Sequence, residues 1–171
     1  MEAYKRRTLT GMKKIEKEGI VKQLLKTGDD SDFNFLITNS EACEDADIMK
    51  LAVFYDPDNF MYASEILRND KDFVLYSVSH DGCMLSYAGS DMKNDEEVNL
   101  AAIESDAAAI LYAPEKLINN KAFILKAVAL NGEILEYLGN KYIDDKEVLE
   151  AALNSFEYQE DYDYWCKRLA M

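Results

Sequence analysis

The sequence predicts an all-α fold: an α-solenoid of about four to five 25-residue, two-helix repeats with atypical capping helices at both ends. Three observations carry that expectation. Tyr62, Tyr87, Tyr112, Tyr137 and Tyr162 recur every 25 positions, and so do Asp45, Asp70, Asp95, Asn120 and Asp145. Apolar and small columns keep the same step with no insertion or deletion: Ile48, Phe73, Val98, Phe123 and Val148, then Ala52, Ser77, Ala102, Ala127 and Ala152. A fixed period of this size marks stacked supersecondary units. Only two prolines and seven glycines interrupt 171 residues, which leaves room for regular helices.

Taken in chain order, residues 8–27 read as one amphipathic helix. Met12, Ile15, Ile20, Leu24 and Leu25 form its apolar side, and Gly28 stands where a C-terminal stop belongs. Gly19 weakens it by about 1 kcal/mol relative to alanine. The stretch that follows reads as a degenerate half-unit, with Phe35 in the column of Phe60, Leu85 and Ile110. Residues 8–44 are therefore expected to cap the array, because an open end of a stack would expose a core face.

Residues 45–153 hold the repeats. In each, the Asp of the 45/70/95/145 column is suited to N-cap a first helix, since its carboxylate can accept from an orphan amide one turn on. Asp47, Asp72, Glu97 and Glu147 place negative charge in the first turn, which the helix dipole favours. Phe73, Ser77 and Val78 then share one stripe, widened by Val74 and Leu75. Asp81 and its equivalents Asp56, Asp106 and Asn131 are placed to cap a second helix carrying Met84, Leu85, Tyr87 and Ala88. Pro57, next to Asp56, suits the first helical position, and Pro114 ends the third copy soon after Ala113. The unit is expected to be two short helices joined by two tight turns. Each helix is too short to persist alone, so stacking must supply the stability.

The segments DKDFVLYSVSHDGCMLSYA, DEEVNLAAIESDAAAILYA and NKAFILKAVALNGEILEYL, with DADIMKLAVFYDPDNFMYA as a looser fourth copy, carry a further signal. Their pattern resembles the repeat family known as domain of unknown function 4116, over roughly residues 45–153. Pro57 and Ala107 stand where that pattern has its turn glycine, and Leu138 replaces the small residue after tyrosine. The resemblance implies a helical repeat architecture and brings no chemistry or active site with it.

Residues 154–171 interleave Phe156, Tyr158, Tyr162, Tyr164 and Trp165 with Glu157, Glu160, Asp161 and Asp163. They read either as a closing helix that seals the last unit or as a recognition element whose aromatic anchors suit a basic groove. Burial of Trp165 separates the two. The whole chain, 1–171, is taken as one domain.

The chemistry that sequences usually advertise is missing from this one. The only histidine, His80, falls at the end of a first helix and is read as a C-terminal cap or as roleless, not as part of a hydrolytic triad. Cys43, Cys83 and Cys166 are widely spaced, with no Cys-x-x-Cys pair, so no zinc site is expected. No dinucleotide, phosphate or calcium loop is present. The expectation is a non-enzyme with no catalytic residues, no cofactor and no metal. No apolar run reaches the length of a membrane span, and the opening residues lack the apolar centre of a secretory signal. Those features point to a cytoplasmic protein that does not engage a membrane.

The net charge of -14 is distributed unevenly. Residues 1–27 hold eight Lys or Arg against three acids, so the remainder carries -19. Such a body repels nucleic acid. The tyrosine column, which invites a reading as a base-stacking ladder, is accordingly read mainly as core with its hydroxyls reaching neighbours or solvent. Two functions remain. One is a scaffold that binds a basic protein partner, with Asp45, Asp70, Asp95, Asp145, Glu157, Asp161, Asp163, Tyr164 and Trp165 as candidate contacts. The alternative is an acidic inhibitor of a nucleic-acid-binding protein or nuclease, whose regularly spaced carboxylates imitate a phosphate backbone. Against both stands the plainer role of the acids as helix caps and solubilising groups.

Overall fold

The computed structural model describes residues 40–155, together with Gly19 and Lys167. Among the described residues every regular element is helical. The predicted cap over 8–44 is represented only by Gly19, which is helical, and α1 (Ser40–Glu44), and the predicted closing segment by Asn154, Ser155 and Lys167; the remainder of both lies outside the described residues.

The repeating unit begins with an α-helix of eight to ten residues: α2 (Ala46–Tyr55), α4 (Lys71–Val78), α6 (Glu96–Ser105), α8 (Lys121–Leu130) and α10 (Lys146–Leu153). A 3₁₀ helix follows in each of four units: η1 (Pro57–Tyr62), η2 (Gly82–Tyr87), η3 (Ala107–Tyr112) and η4 (Gly132–Glu136). A single α-turn closes each unit: α3 (Glu65–Arg68), α5 (Ser90–Lys93), α7 (Glu115–Ile118) and α9 (Asn140–Ile143).

The unit therefore contains three helical pieces, where two helices and two tight turns were expected. The second helix is 3₁₀, and one of its buried edges repeats every third position. Gly82, Leu85 and the C-cap Ala88 are buried along η2, and Ala107, Ile110 and the C-cap Ala113 along η3, with Met84 and Ala109 buried beside them. A three-residue period lines these up along one edge, which a 3.6-residue period would not. The expected second turn is a helical turn because it has its own anchor: Leu67 and Leu117 are buried in the core.

The caps fall where the spacing put them. Asp45 accepts from the amides of Asp47 and Ile48 at 3.1 Å, Asp70 from Phe73 at 2.8 Å, and Asp95 from Glu97 at 2.9 Å and Val98 at 3.2 Å. Asn120 and Asp145 do the same for α8 and α10. Asp56, Asp81, Asp106 and Asn131 cap the 3₁₀ helices, with Pro57 at the first position of η1. Each cap satisfies a donor that would otherwise be orphaned at a helix start.

The units stack in single file. Each long helix packs on its counterpart in the next unit, α2 on α4 through to α8 on α10, while η1 to η4 form a second row side by side. Between the rows, Ile48, Phe73, Val98, Phe123 and Val148 are buried, as is the small-residue column from Ala52 to Ala152. That column stays small because it lies where helices approach, and Ser77 enters it only by donating its hydroxyl to the Phe73 carbonyl at 2.9 Å. Close approach also fixes Gly82: a Cβ there would sit 2.1 Å from the carbonyl oxygen of Ala102 in the next unit.

One buried polar residue links neighbouring segments. Along the column of Met49, Val74, Ile124 and Leu149 the third unit has Asn99, which is fully buried. In α1 and in the first unit the short helix ends on a carbonyl that accepts from the backbone of the following unit: Ser64 N–H donates to Cys43 at 2.9 Å and Gly89 N–H to Arg68 at 2.7 Å. The equivalent donor for Lys93 would be residue 114, a proline, which has no N–H. Asn99 supplies the missing bond, its Nδ2 donating to the Lys93 carbonyl at 2.8 Å. One unit further on, the Tyr142 hydroxyl donates to Ile118 at 2.6 Å.

Candidate functional site

The four candidate carboxylates of the described repeats share a structural role and differ in their electrostatics. Asp45, Asp70, Asp95 and Asp145 are all N-caps. Lys71 bridges to Asp95 at 2.8 Å and Glu97 at 2.7 Å, and Lys121 repeats the clamp on Asp145 at 2.7 Å and Glu147 at 2.9 Å. The lysine hydrogen bond, helped by the cap amides and the nearby positive charge, holds the carboxyls of Asp95 and Asp145 below the usual carboxylate range; desolvation opposes it. The column is therefore not a uniform row of bare charges: Asp95 and Asp145 are held by lysines, and its fourth member, Asn120, is neutral. Glu157, Asp161, Asp163, Tyr164 and Trp165 lie outside the described residues.

The tyrosine column grades along the stack. Tyr62 and Tyr87 pack half-buried against the core, whereas Tyr112 and Tyr137 are 41% and 42% exposed. Core placement thus holds for the first two and not for the next two. Burial and the charges of Asp56, Asp58 and Tyr87 push the Tyr62 phenol up.

A second exposed group gathers at the C-terminal ends of α2 and α4. Phe54 meets Tyr55 edge-on at 5.6 Å and His80 at 6.0 Å, and His80 lies 4.5 Å from the Tyr76 ring. His80 Nδ1 is 2.9 Å from the Tyr76 carbonyl oxygen, so that nitrogen carries the proton and the ring closes the end of its helix. Lys50 sits over Tyr76, 5.5 Å from the ring centre.

Consecutive caps also bring Asp81, Cys83 and Asp106 together, with their ligand atoms within 4.8 Å of one another. The Cys83 thiol donates to Asp106 Oδ2 at 3.3 Å. Burial, then that hydrogen bond and the two carboxylate charges, pushes the thiol up to about 11. A thiol so placed keeps its proton at neutral pH and is a poor nucleophile. One oxygen of each carboxylate is already taken by a cap amide. The sequence reading treated the cysteines singly; the available signal was a cysteine two residues after one cap aspartate and 25 residues before the next cap's second position.

Sequence reasoning also missed the cations at the ends of the 3₁₀ helices. Arg68 donates from Nε to the Ala63 carbonyl at 2.9 Å and from Nη2 to the Met61 carbonyl, and Lys93 donates to the Ser86 carbonyl at 2.6 Å. The signal was there: the two occupy one repeat position, occupied later by Ile118 and Ile143.

Three overlapping stretches, residues 45–93, 71–118 and 95–143, match the family model described as Domain of unknown function (DUF4116). Together they span more than half of the 171 residues. No curated protein and no solved structure matches the chain.

Proposed function

The chain belongs to the family described as domain of unknown function 4116, and from that premise we propose that it is a non-enzymatic, cytoplasmic scaffold whose acidic surface binds a basic protein partner. The observation that carries the reading is the charge of the stacked units. Residues 40–155 hold 23 Asp or Glu against nine Lys or Arg, a net of -14 in the repeat body itself. A field of that sign steers a basic protein toward the stack and raises its association rate by about 10- to 1000-fold at low salt. Exposed Phe54, Leu111, Tyr112 and Tyr137 give such a partner apolar ground to settle on. Among the described residues no helix is long and apolar enough to cross a membrane.

The alternative, an inhibitor that imitates nucleic acid, needs a regular stripe of free carboxylates. Lysines hold Asp95 and Asp145, and Asn120 between them carries no charge, so this column breaks such a stripe and favours the plain protein interface.

The test is capture of partners by the full chain at stepwise rising salt, paired with a triple charge reversal at exposed acids that cap nothing: Glu104→Lys, Glu133→Lys and Glu136→Lys. A basic partner that is released by salt and lost with the reversal supports the scaffold. A partner that is neutral or acidic, or one that ignores both salt and reversal, refutes it. If the specific partner is a nucleic-acid-binding protein displaced competitively by duplex DNA, mimicry replaces the plain scaffold.

A further inference from the structure

The last carbonyls of a helix lack intrahelical donors and take them from elsewhere. In the first two units the chain supplies a cation. Arg68 straddles the carbonyls of Met61 and Ala63 at the end of η1, and Lys93 caps that of Ser86 at the end of η2. Both come from the last position of the following α-turn, so the repeat builds one cation seat per unit. In the third unit that position is Ile118, which has nothing to donate. Lys116, the one cation of α7, stands at the position of Ile66 and Asp91, not at that of Arg68 and Lys93.

The surroundings of the third seat change in the same unit. Leu111, whose carbonyl corresponds to those of Met61 and Ser86, is 61% exposed, and Tyr112 next to it is open where Tyr62 and Tyr87 are half-buried. Glu136 occupies the same repeat column one unit on, exposed on η4, which packs beside η3, and Glu115 is exposed at the start of α7. The place thus combines acceptor carbonyls, an open aromatic ring, apolar surface and two carboxylates. η4 does not repeat it, because η4 stops at Glu136 and Tyr137 turns in a helical conformation.

We propose that the carbonyl end of η3 is the docking seat for an arginine side chain of the protein partner. The guanidinium takes the place that Arg68 takes in the first unit, donating to the carbonyls of Leu111 and Ala113. Its stem lies on Leu111, and its charge faces the Tyr112 ring and Glu136. Arginine is favoured over lysine because two carbonyls, spaced as in η1, match a planar fork of donors. The inference rests on the basic-partner reading above and adds the surface and the recognised side chain.

The test uses the full-length chain and an acetylated, amidated nonapeptide with three arginines separated by Gly-Ser, alongside its lysine and citrulline counterparts. Amide shifts are followed by two-dimensional NMR in 50 mM salt. The arginine peptide is expected to shift the amides from Leu111 to Glu115 most strongly. Ile118→Arg, which fills the seat from within as Arg68 does, is expected to weaken its binding at least fivefold. Tyr112→Ala, at an exposed position, gives a second variant should Ile118→Arg disturb packing, and it too is expected to weaken binding. If the peptide binds but its shifts lie elsewhere, or both variants bind as the parent does, the seat is refuted and the acidic scaffold stands. If citrulline binds as well as arginine, the seat is refuted as well. If neither the arginine nor the lysine peptide binds at all, the basic-partner reading falls first.

Discussion

Asn99 offers the most direct test of how the units are joined. Replacing it with leucine keeps its branched shape in an otherwise apolar column and removes the one side chain among the described residues that donates to the Lys93 carbonyl across the gap left by Pro114. Three terms enter. The second bond of Asn99 Nδ2, to the Asp95 carbonyl at 2.8 Å, is dispensable because the Asn99 backbone N–H already donates there at 3.1 Å. The buried Oδ1 of Asn99 accepts no hydrogen bond among the described residues, so its removal is favourable. The Lys93 carbonyl, left without its donor, costs about 1–3 kcal/mol. The first and second terms do not depend on residue 114, and the third does. In a Pro114→Ala background the restored N–H can donate to Lys93, as Ser64 and Gly89 donate to Cys43 and Arg68. Asn99→Leu is therefore expected to be about 1–3 kcal/mol less destabilising, or more stabilising, with alanine at 114 than with proline. The four proteins of the cycle are measured by urea denaturation followed by far-UV circular dichroism, with thermal melts as a check at about 2–4 °C per kcal/mol for a chain of this size. A coupling below about 0.5 kcal/mol would refute the claim that Asn99 substitutes for the donor that proline removed.

Two further outcomes follow from the geometry. Because Asp95 and Asp145 titrate below their unfolded values, the stability they contribute is present above about pH 4, the ordinary aspartate range, and is lost as pH falls through their folded values. Melting temperature is expected to drop on that acid side, and Lys71→Met with Lys121→Met should flatten the drop; an unchanged acid limb in the double variant would remove the clamps from the account. Gly82→Ala should destabilise by about 1–3 kcal/mol, because its Cβ would meet the Ala102 backbone oxygen and backbone cannot step aside as a side chain would. Pro57 and Ala107 carry a Cβ at the same repeat position, so a neutral result would mean that the spacing between units is soft rather than set by Gly82.

The register of the repeat, its caps and its buried columns are legible in the sequence because each rests on a local rule. An aspartate with free amides two and three residues on caps a helix wherever it occurs, and Phe73, Ser77 and Val78 share a stripe by helical geometry alone. The 3₁₀ character of η2 leaves a trace in the three-residue spacing of Gly82, Leu85 and Ala88, but Met84 breaks that spacing, so the sequence pattern does not single out 3₁₀ over a short α-helix. Burial against the next unit chose between them. The lysine clamps on Asp95 and Asp145 could not be read locally, since Lys71 and Lys121 sit 24 residues before the carboxylates they hold.

What the sequence determined by itself is the tile: which residues start each helix, which face inward, and how much negative charge the body carries. Periodicity and capping are properties of neighbours along the chain, so the linear order suffices for them. What only the tertiary structure decided is how each tile meets the next: which carboxylates are clamped, which carbonyl Asn99 rescues, and why Tyr112 opens to solvent while Tyr87 does not. Those outcomes depend on contacts between residues about a full repeat apart, and stacking alone brings such residues within hydrogen-bonding distance.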